Sequence, residues 1–293
     1  MAEDWTIGRL LTWTTDYLKQ HGADSPRLDA EVLLAFARGC QRIQLYTAFD
    51  EPADEALRTR FRALVKQRAD GAPVAYLVGH REFYSMQFVV STDVLIPRPE
   101  TEHLVVRLLD LARKLSAERN GAALDICDIG TGSGVIAVVA AKLLPTANIV
   151  AIDQSEAALA VAQANATKHK VAERITWIQG DLLSELPVDA QFDLIASNPP
   201  YISQPEYDQL SRTVREYEPR EALLGGPTGT EVIARLIPQA ASRLRSGGHL
   251  LIEVSPMIEP AVCALIEKEA SLVLEPTIKD LAQLPRTVHA RRK

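Results

Sequence analysis

Two short segments of this chain carry residue types whose spacing suits chemistry. The first is Asn198-Pro199-Pro200-Tyr201. Proline has no backbone N–H, and each proline holds the residue before it extended, so this loop is stiff and offers carbonyl acceptors without donors. With the Asn198 side-chain oxygen and the Pro199 carbonyl as acceptors, both hydrogens of a planar, conjugated NH2 group can be engaged, and Tyr201 is expected to stack on its plane. The lone pair of such a nitrogen is delocalised, so fixing its direction of attack matters more than removing a proton. Oriented proximity alone is worth up to about 7 to 11 kcal/mol. A plain proline turn closed by a packed tyrosine is the bland alternative.

The second segment is Asp128-Ile129-Gly130-Thr131-Gly132-Ser133-Gly134. Its glycines permit a tight turn and let a ligand approach the backbone closely, so a carboxylate or phosphate would fit there. A dinucleotide fingerprint needs G-x-G-x-x-G; here Val135 stands at the third glycine and Gly134 comes one residue early, so that fingerprint fails. Asp153 closes the next apolar run, at a distance that suits a carboxylate accepting from both ribose hydroxyls of a nucleoside; a helix-capping acid is the bland alternative. Asp181-Leu182 follows a third run and could meet the edge and face of an adenine; alone, that signal is weak.

These residues need a scaffold that brings them to one edge. Apolar runs at 124–129, 148–152, 175–179, 192–197 and 250–254 read as strands. Helical spacing at 100–118, 134–143, 155–168 and 230–244 alternates with them. Such alternation predicts an α/β fold with a mostly parallel, doubly wound sheet and right-handed crossovers, in which ligands bind outside the carboxyl ends of the strands. Before residue 71 the chain reads as helix. Ile7, Leu10, Leu11, Thr14, Tyr17 and Leu18 share one face, Leu57, Phe61, Leu64, Val65 and Arg68 another, and Ser25-Pro26 resembles an N-cap followed by proline at the first helical position. Glycines and prolines at 71–100 break the periodicity, and Glu82-Phe83-Tyr84 and Met86-Gln87-Phe88-Val89-Val90 suit a hairpin around Ser85. The expected division is a helical domain over 1–75, a hairpin linker over 76–100 and a larger α/β domain over 101–293.

Composition narrows the function classes. Thirty-two basic against thirty-eight acidic side chains give a net charge of -6, without the overall basic bias of non-specific nucleic-acid binding. The first residues resemble no signal peptide, and no apolar run is long enough to cross a bilayer, so a soluble cytoplasmic protein, a monomer by default, is expected. Three widely spaced cysteines, Cys40, Cys127 and Cys263, argue against a disulfide framework and a zinc knuckle, and His80, His103 and His249 have no ligand spacing, so no metal site is expected. Cys127 reads as a buried thiol inside a strand. Arg98 and Glu100, beside prolines near the sheet edge, could line the site or simply pair.

Taken together, Ser25-Pro26-Arg27-Leu28-Asp29-Ala30-Glu31, Gly79-His80-Arg81-Glu82-Phe83-Tyr84, the IPRPETE stretch at 96–102, the DIGTGSG turn, NPPY and Tyr217-Glu218-Pro219-Arg220-Glu221-Ala222-Leu223 resemble the HemK/PrmC family of glutamine methyltransferases acting on peptide-chain release factors. The resemblance covers nearly the whole chain. It implies a seven-stranded Rossmann-like S-adenosylmethionine-dependent methyltransferase domain behind a small N-terminal helical domain that helps dock the release factor. By position, Gly130, Thr131, Gly132, Ser133 and Gly134 would hold the methionine end of the cofactor, Asp153 the ribose, and Asp181 and Leu182 the adenine. Asn198, beside the cofactor, would hold the glutamine amide of a Gly-Gly-Gln motif together with Pro199, Pro200 and Tyr201, and S-adenosylhomocysteine would be the product. Asp128 is a further candidate, for the amino group of the methionine end. The chain departs from the family at Leu182, where an aromatic is common, at Val254-Ser255, and at Gln283-Leu284-Pro285-Arg286, which lacks a usual glycine.

Three rival readings share parts of this pattern. A ribosomal-protein glutamine methyltransferase would keep the cofactor loop and NPPY, but IPRPETE favours release factors. Methylation of an exocyclic amine on a flipped base uses the same acceptors, against which stand the acidic charge and the lack of an inserted recognition domain. A non-catalytic translation-factor or ribosome-binding module could retain the fold, against which stand the intact glycines and NPPY.

Overall fold

The computed structural model describes residues 5–293. It separates into two compact units, one formed by the chain up to His80 together with Ser211–Tyr217, the other by Arg81–Leu210 and Glu218–Lys293. The division is therefore discontinuous: a short segment near residue 214 belongs with the helical unit.

The helical unit contains α1 (Ile7–Gln20), α2 (Pro26–Arg38), α3 (Arg42–Thr47), α4 (Glu55–Ala69) and α5 (Val74–Val78). The predicted apolar face of α1 is buried at Ile7, Leu10, Leu11, Thr14 and Leu18, and that of α4 at Leu57, Phe61 and Val65. Thr6 caps α1 by accepting from the Arg9 N–H, and Asp54 caps α4 through Leu57 N–H at 2.7 Å. Ser25 does stand at the N-cap of α2 with Pro26 in the first turn, but its side chain makes no capping bond. The acids of the SPRLDAE stretch are instead structural. Asp29 pairs with Arg68 at 2.8 Å, and Glu31, buried, takes Arg27 at 2.7 Å, Arg42 at 2.8 Å and the Tyr46 hydroxyl.

The second unit begins at Arg81, within the hairpin of β1 (His80–Phe83) and β2 (Met86–Val89), turned by Tyr84 and Ser85 at φ of 51° and 55°. There follow α6 (Thr101–Glu118), β3 (Asp125–Ile129), α7 (Val135–Leu143), β4 (Asn148–Asp153), α8 (Glu156–Lys168), β5 (Ile175–Gln179) and β6 (Phe192–Ser197). Beyond them lie β7 (Ile202–Ser203), α9 (Gln204–Gln209), α10 (Arg212–Tyr217, in the helical unit), β8 (Leu224–Gly226), α11 (Glu231–Arg243), β9 (Leu244–Glu253), α12 (Glu259–Lys268), β10 (Leu272–Lys279) and β11 (Pro285–Arg292).

Seven strands form one sheet in the order β10-β11-β9-β6-β3-β4-β5, all running in one direction except β11, which is antiparallel to both its neighbours β9 and β10. Along β3, Ile126 faces a core built with α6 and α7, whereas Cys127 and Ile129 face one built with α11 and α12. A sheet covered on both faces needs continuous apolar strands, and every residue of β6 is buried. Burial raises the Cys127 thiol well above its ordinary value, as befits a packing residue. From β3 the chain runs outward to β4 and β5, then returns to place β6 on the other side of β3. The gap between β3 and β6 is therefore a topological switch point.

Candidate active site

The switch point opens into a cavity of about 820 Å³. Its wall includes Gly130, Thr131, Gly132, Ser133, Asp153, Asp181, Leu182, Asn198, Pro199 and Pro200, so residues spread over seventy positions of sequence meet in one place. Arg98 lines the cavity too, while Gly134 and Tyr201 are not part of the wall.

The glycine loop is held from below. Gly130 N–H and Thr131 N–H both donate to the Ile152 carbonyl, at 2.9 and 3.0 Å, and Gly132 N–H donates to Asp153 Oδ2 at 2.8 Å. Gly130 and Gly132 adopt φ of 69° and 53°, with nothing nearer than 3.8 Å where a Cβ would stand. What they supply is left-handed backbone with open space over it. Gly134 serves differently: at φ 81° its Cβ would sit 3.0 Å from the Ala162 Cβ, so it lets α7 start hard against α8.

Asp128 lies under this loop and is almost fully buried. One oxygen accepts from the Thr131 hydroxyl at 2.6 Å and from Ala137 N–H at 3.1 Å; the other, Oδ1, is buried without a partner. Burial pushes its carboxyl up to about 7 despite those hydrogen bonds. Asp128, suggested for the amino-group contact, is not among the residues of the cavity wall; its bonds to Thr131 and Ala137 brace the loop between β3 and α7. Asp153 does reach the wall. Its Oδ1 accepts from Ser155 N–H at 2.9 Å, and burial raises its pKa against these backbone bonds.

Opposite stands the acceptor loop. Ser197 Oγ donates to the Ile129 carbonyl at 2.8 Å and locks the end of β6 to β3. Asn198 Nδ2 donates to Thr101 Oγ1 at 3.2 Å. Behind the loop, a Cβ on Gly225 would stand 2.6 Å from the Pro200 carbonyl oxygen, and one on Gly229 would stand 2.4 Å from that of Tyr201. No larger residue fits at either position, so the two glycines form the bed on which the prolines rest. Tyr201 departs from the stacking position expected of it: its ring packs on the α11–α12 side of the sheet and its hydroxyl points to Glu253 at 3.5 Å. Burial raises the pKa of that hydroxyl, so it stays protonated.

At the far end of the cavity Leu182 takes φ 56°, an unusual conformation for a side chain of that size, and Asp181 pairs with Arg235. Arg98 and Glu100 do not pair with each other: Arg98 binds the buried Glu218 at 2.5 Å, and Glu100 lies 3.8 Å from Arg286. The IPRPETE and YEPREAL stretches are thus joined through Arg98, and again by Ile96 N–H donating to Glu218 at 3.2 Å.

Sequence reasoning passed over Thr101, Asn165, Gly225, Gly229, Arg235 and Glu253. Asn165, fully buried in α8, donates to the Ser133 carbonyl at 2.9 Å and bonds Val89 through both N–H and C=O, tying β2 to the glycine loop. A polar residue on the buried face of an alanine-rich helix was its only sequence signal. Among the described residues no cluster of His, Cys, Asp and Glu could hold a metal ion; His249 and His289 contact each other at 2.9 Å in the sheet.

The doubly wound sheet with a glycine turn facing an acceptor loop defines a Rossmann-like methyltransferase. Residues 108–216 match the methyltransferase small domain model, and a methyltransferase from Pyrococcus furiosus has the same fold, with a TM-score of 0.52 at 16% identity over 79% of this chain and 97% of that one. Residues 9–79 match the PrmC N-terminal domain. Proteins named release factor glutamine methyltransferase are similar along nearly their whole length. One from Rhodopirellula baltica is 53% identical over 95% of this chain and 93% of its own, and one from Bacillus subtilis is 36% identical over 97% of each. The chain belongs to the release factor glutamine methyltransferase family, whose methyl donor is S-adenosylmethionine.

Proposed function

We propose that this protein methylates the side-chain amide nitrogen of the glutamine in the Gly-Gly-Gln motif of a peptide chain release factor. The observation that carries the reading is the placement of two acceptors, Asn198 and Pro199, on the wall of the same cavity that the glycine loop opens into. Family membership selects the amide of a protein glutamine among the NH2 groups such acceptors could hold.

The cavity suits the donor on its own terms. Backbone is exposed at Gly130 and Gly132 where a Cβ would otherwise intrude, and the Asp153 carboxylate stands at the end of the neighbouring strand, able to accept from a diol. In this reading residues 130–133 hold the methionine end, Asp153 the ribose, and Asp181 with Leu182 the adenine, Gly134 acting only through the packing of α7. When bound, S-adenosylmethionine supplies an electrophilic methyl group on a cationic sulfur. The chain's own contribution is positional: Asn198 Oδ1 and the Pro199 carbonyl accept the two amide hydrogens, and Pro200 removes the next donor. Oriented proximity suffices for a weak nucleophile, with a ceiling of about 7 to 11 kcal/mol.

The helical unit, with Phe36, Ile43 and Tyr46 exposed on α2 and α3, is the element we assign to docking the release factor, and the work is that of a cytoplasmic monomer. The test is Asn198→Ala. Transfer of label from S-adenosylmethionine to a purified release factor is expected to fall at least about 100-fold while cofactor affinity is retained. Lost cofactor binding with preserved turnover would contradict the assignment.

A further inference from the structure

An Asn side chain carries an acceptor and a donor at nearly the same place, and only one of its two orientations serves an incoming NH2 group. Resting on the function proposed above, the question is what chooses between them. The answer lies on two elements outside the motif. Thr101, the first residue of α6, is buried beside Asn198, and Glu253, the last residue of β9, is buried behind Thr101. Pairing of Ser197 on β6 with Ile252 on β9 brings Glu253 to this position, and β11 closes over it by pairing Thr287 with Glu253.

We propose that Glu253, acting through Thr101, fixes the orientation of the Asn198 amide so that its oxygen faces the substrate. Once ionised, as it becomes above about pH 7, the Glu253 carboxylate accepts only. The Thr101 hydroxyl lies beside that carboxylate; with its one hydrogen turned toward Glu253 it keeps lone pairs for its other neighbour. That neighbour is Asn198, which must then present its NH2, and Nδ2 is the atom that meets Thr101 Oγ1 at 3.2 Å. The opposite end, Oδ1, is thereby the end turned away from Thr101. Tyr201 completes the arrangement from the motif itself, pointing its hydroxyl at the same carboxylate at 3.5 Å. The tyrosine of NPPY thus acts as a second tether on Glu253. Glu253 Oε2 remains buried without a partner, a cost that packing alone does not explain. Thr101 and Glu253 are positioning residues: Thr101 reaches the cavity wall, but its hydroxyl oxygen is taken up by Asn198 Nδ2, and Glu253 is not part of the wall.

Polarity and packing make different demands, and Thr101→Val and Thr101→Ser separate them. Valine keeps the shape and loses the hydroxyl; serine keeps the hydroxyl and loses the methyl group. Thr101→Val is expected to lower kcat for methylation of a release factor about 100-fold, through misplacement of the amide, with cofactor affinity changed less than about twofold. Thr101→Ser is expected to recover most of that loss. Glu253→Gln, which can donate as well as accept, is expected to lower kcat about tenfold and decides the matter if Thr101→Val does not fold. A second readout needs no substrate. Hydrogen exchange of the Asn198 side-chain NH2, followed by NMR, should accelerate at least about tenfold in Thr101→Val and not in Thr101→Ser. Wild-type kcat in both Thr101→Val and Glu253→Gln, or a serine variant as impaired as the valine one, would overturn the proposal. A wild-type enzyme that exchanges as expected but methylates no release factor would instead overturn the proposed function alone.

Discussion

Gly134 offers a place to test whether the cofactor loop is shaped by backbone geometry and helix packing. Replacing it with alanine imposes two separate costs. At φ 81° an added Cβ is strained whatever its surroundings, at about 1 to 2 kcal/mol. It would also stand 3.0 Å from the Ala162 Cβ and 3.2 Å from its Cα, in a packed contact between α7 and α8 where overpacking costs about 1 to 3 kcal/mol. The sum, about 2 to 5 kcal/mol, should lower Tm by at least about 4 °C. Ala162→Gly removes the obstructing methyl group and alone costs about 1 kcal/mol of helix propensity. In the double variant the steric cost set by the Ala162 Cβ should return, while the 3.2 Å approach to its Cα and the conformational part stay, giving a favourable coupling of up to about 3 kcal/mol in a double-mutant cycle. Thermal and urea unfolding of the four proteins measures it. Additive effects within about 0.5 kcal/mol would show that helix–helix contact is not why glycine stands there, and would leave φ as the sole constraint.

Asp153→Ala should weaken S-adenosylmethionine binding at least about tenfold, from lost hydrogen bonds to a charged acceptor, as isothermal titration would show; unchanged affinity would remove the ribose assignment. The buried Glu253 carboxyl is pushed up by burial to about 7 from an ordinary 4.5. Between those values the folded chain retains a proton that the unfolded chain has released, so the stability this group contributes falls as pH rises from 4.5 through about 7. Glu253→Gln should therefore gain up to about 3 kcal/mol relative to wild type on going from pH 4.5 to pH 8, read from urea midpoints at each pH. A pH-independent difference between the two proteins would mean the carboxyl is not perturbed.

Much of the scaffold was legible because parallel strands buried on both faces write themselves as apolar runs between turns. The expected strand at 192–197 coincides with β6, that at 175–179 with β5, and α6 begins one residue from its expected start. The long antiparallel strands β10 and β11 went unread because their residues are mostly half-buried and alternate poorly, as at Leu272–Lys279. β9 starts six residues earlier than the apolar run at 250 suggests, since Arg245, Ser246 and two glycines disguise its first half. In the site, residues that touch the cavity through local motifs were found, whereas those that act across the sheet were not. Thr101 looks like any residue opening a helix, and Glu253 like a polar end to a strand. Only the β6–β9 register and the entry of α6 place them behind Asn198. Tyr201 shows the reverse: its motif is local, but the apolar space beside α11 draws the ring away from the cavity.

The most direct test of the central claim is methyl transfer from labelled S-adenosylmethionine to a purified release factor, run beside its Gly-Gly-Gln variant with glutamine replaced by alanine, ribosomes and DNA. Label on the intact factor alone is the predicted result. Label on the alanine variant, or on ribosomes or DNA in its place, would contradict the assignment of the glutamine amide as the group that Asn198 and Pro199 hold.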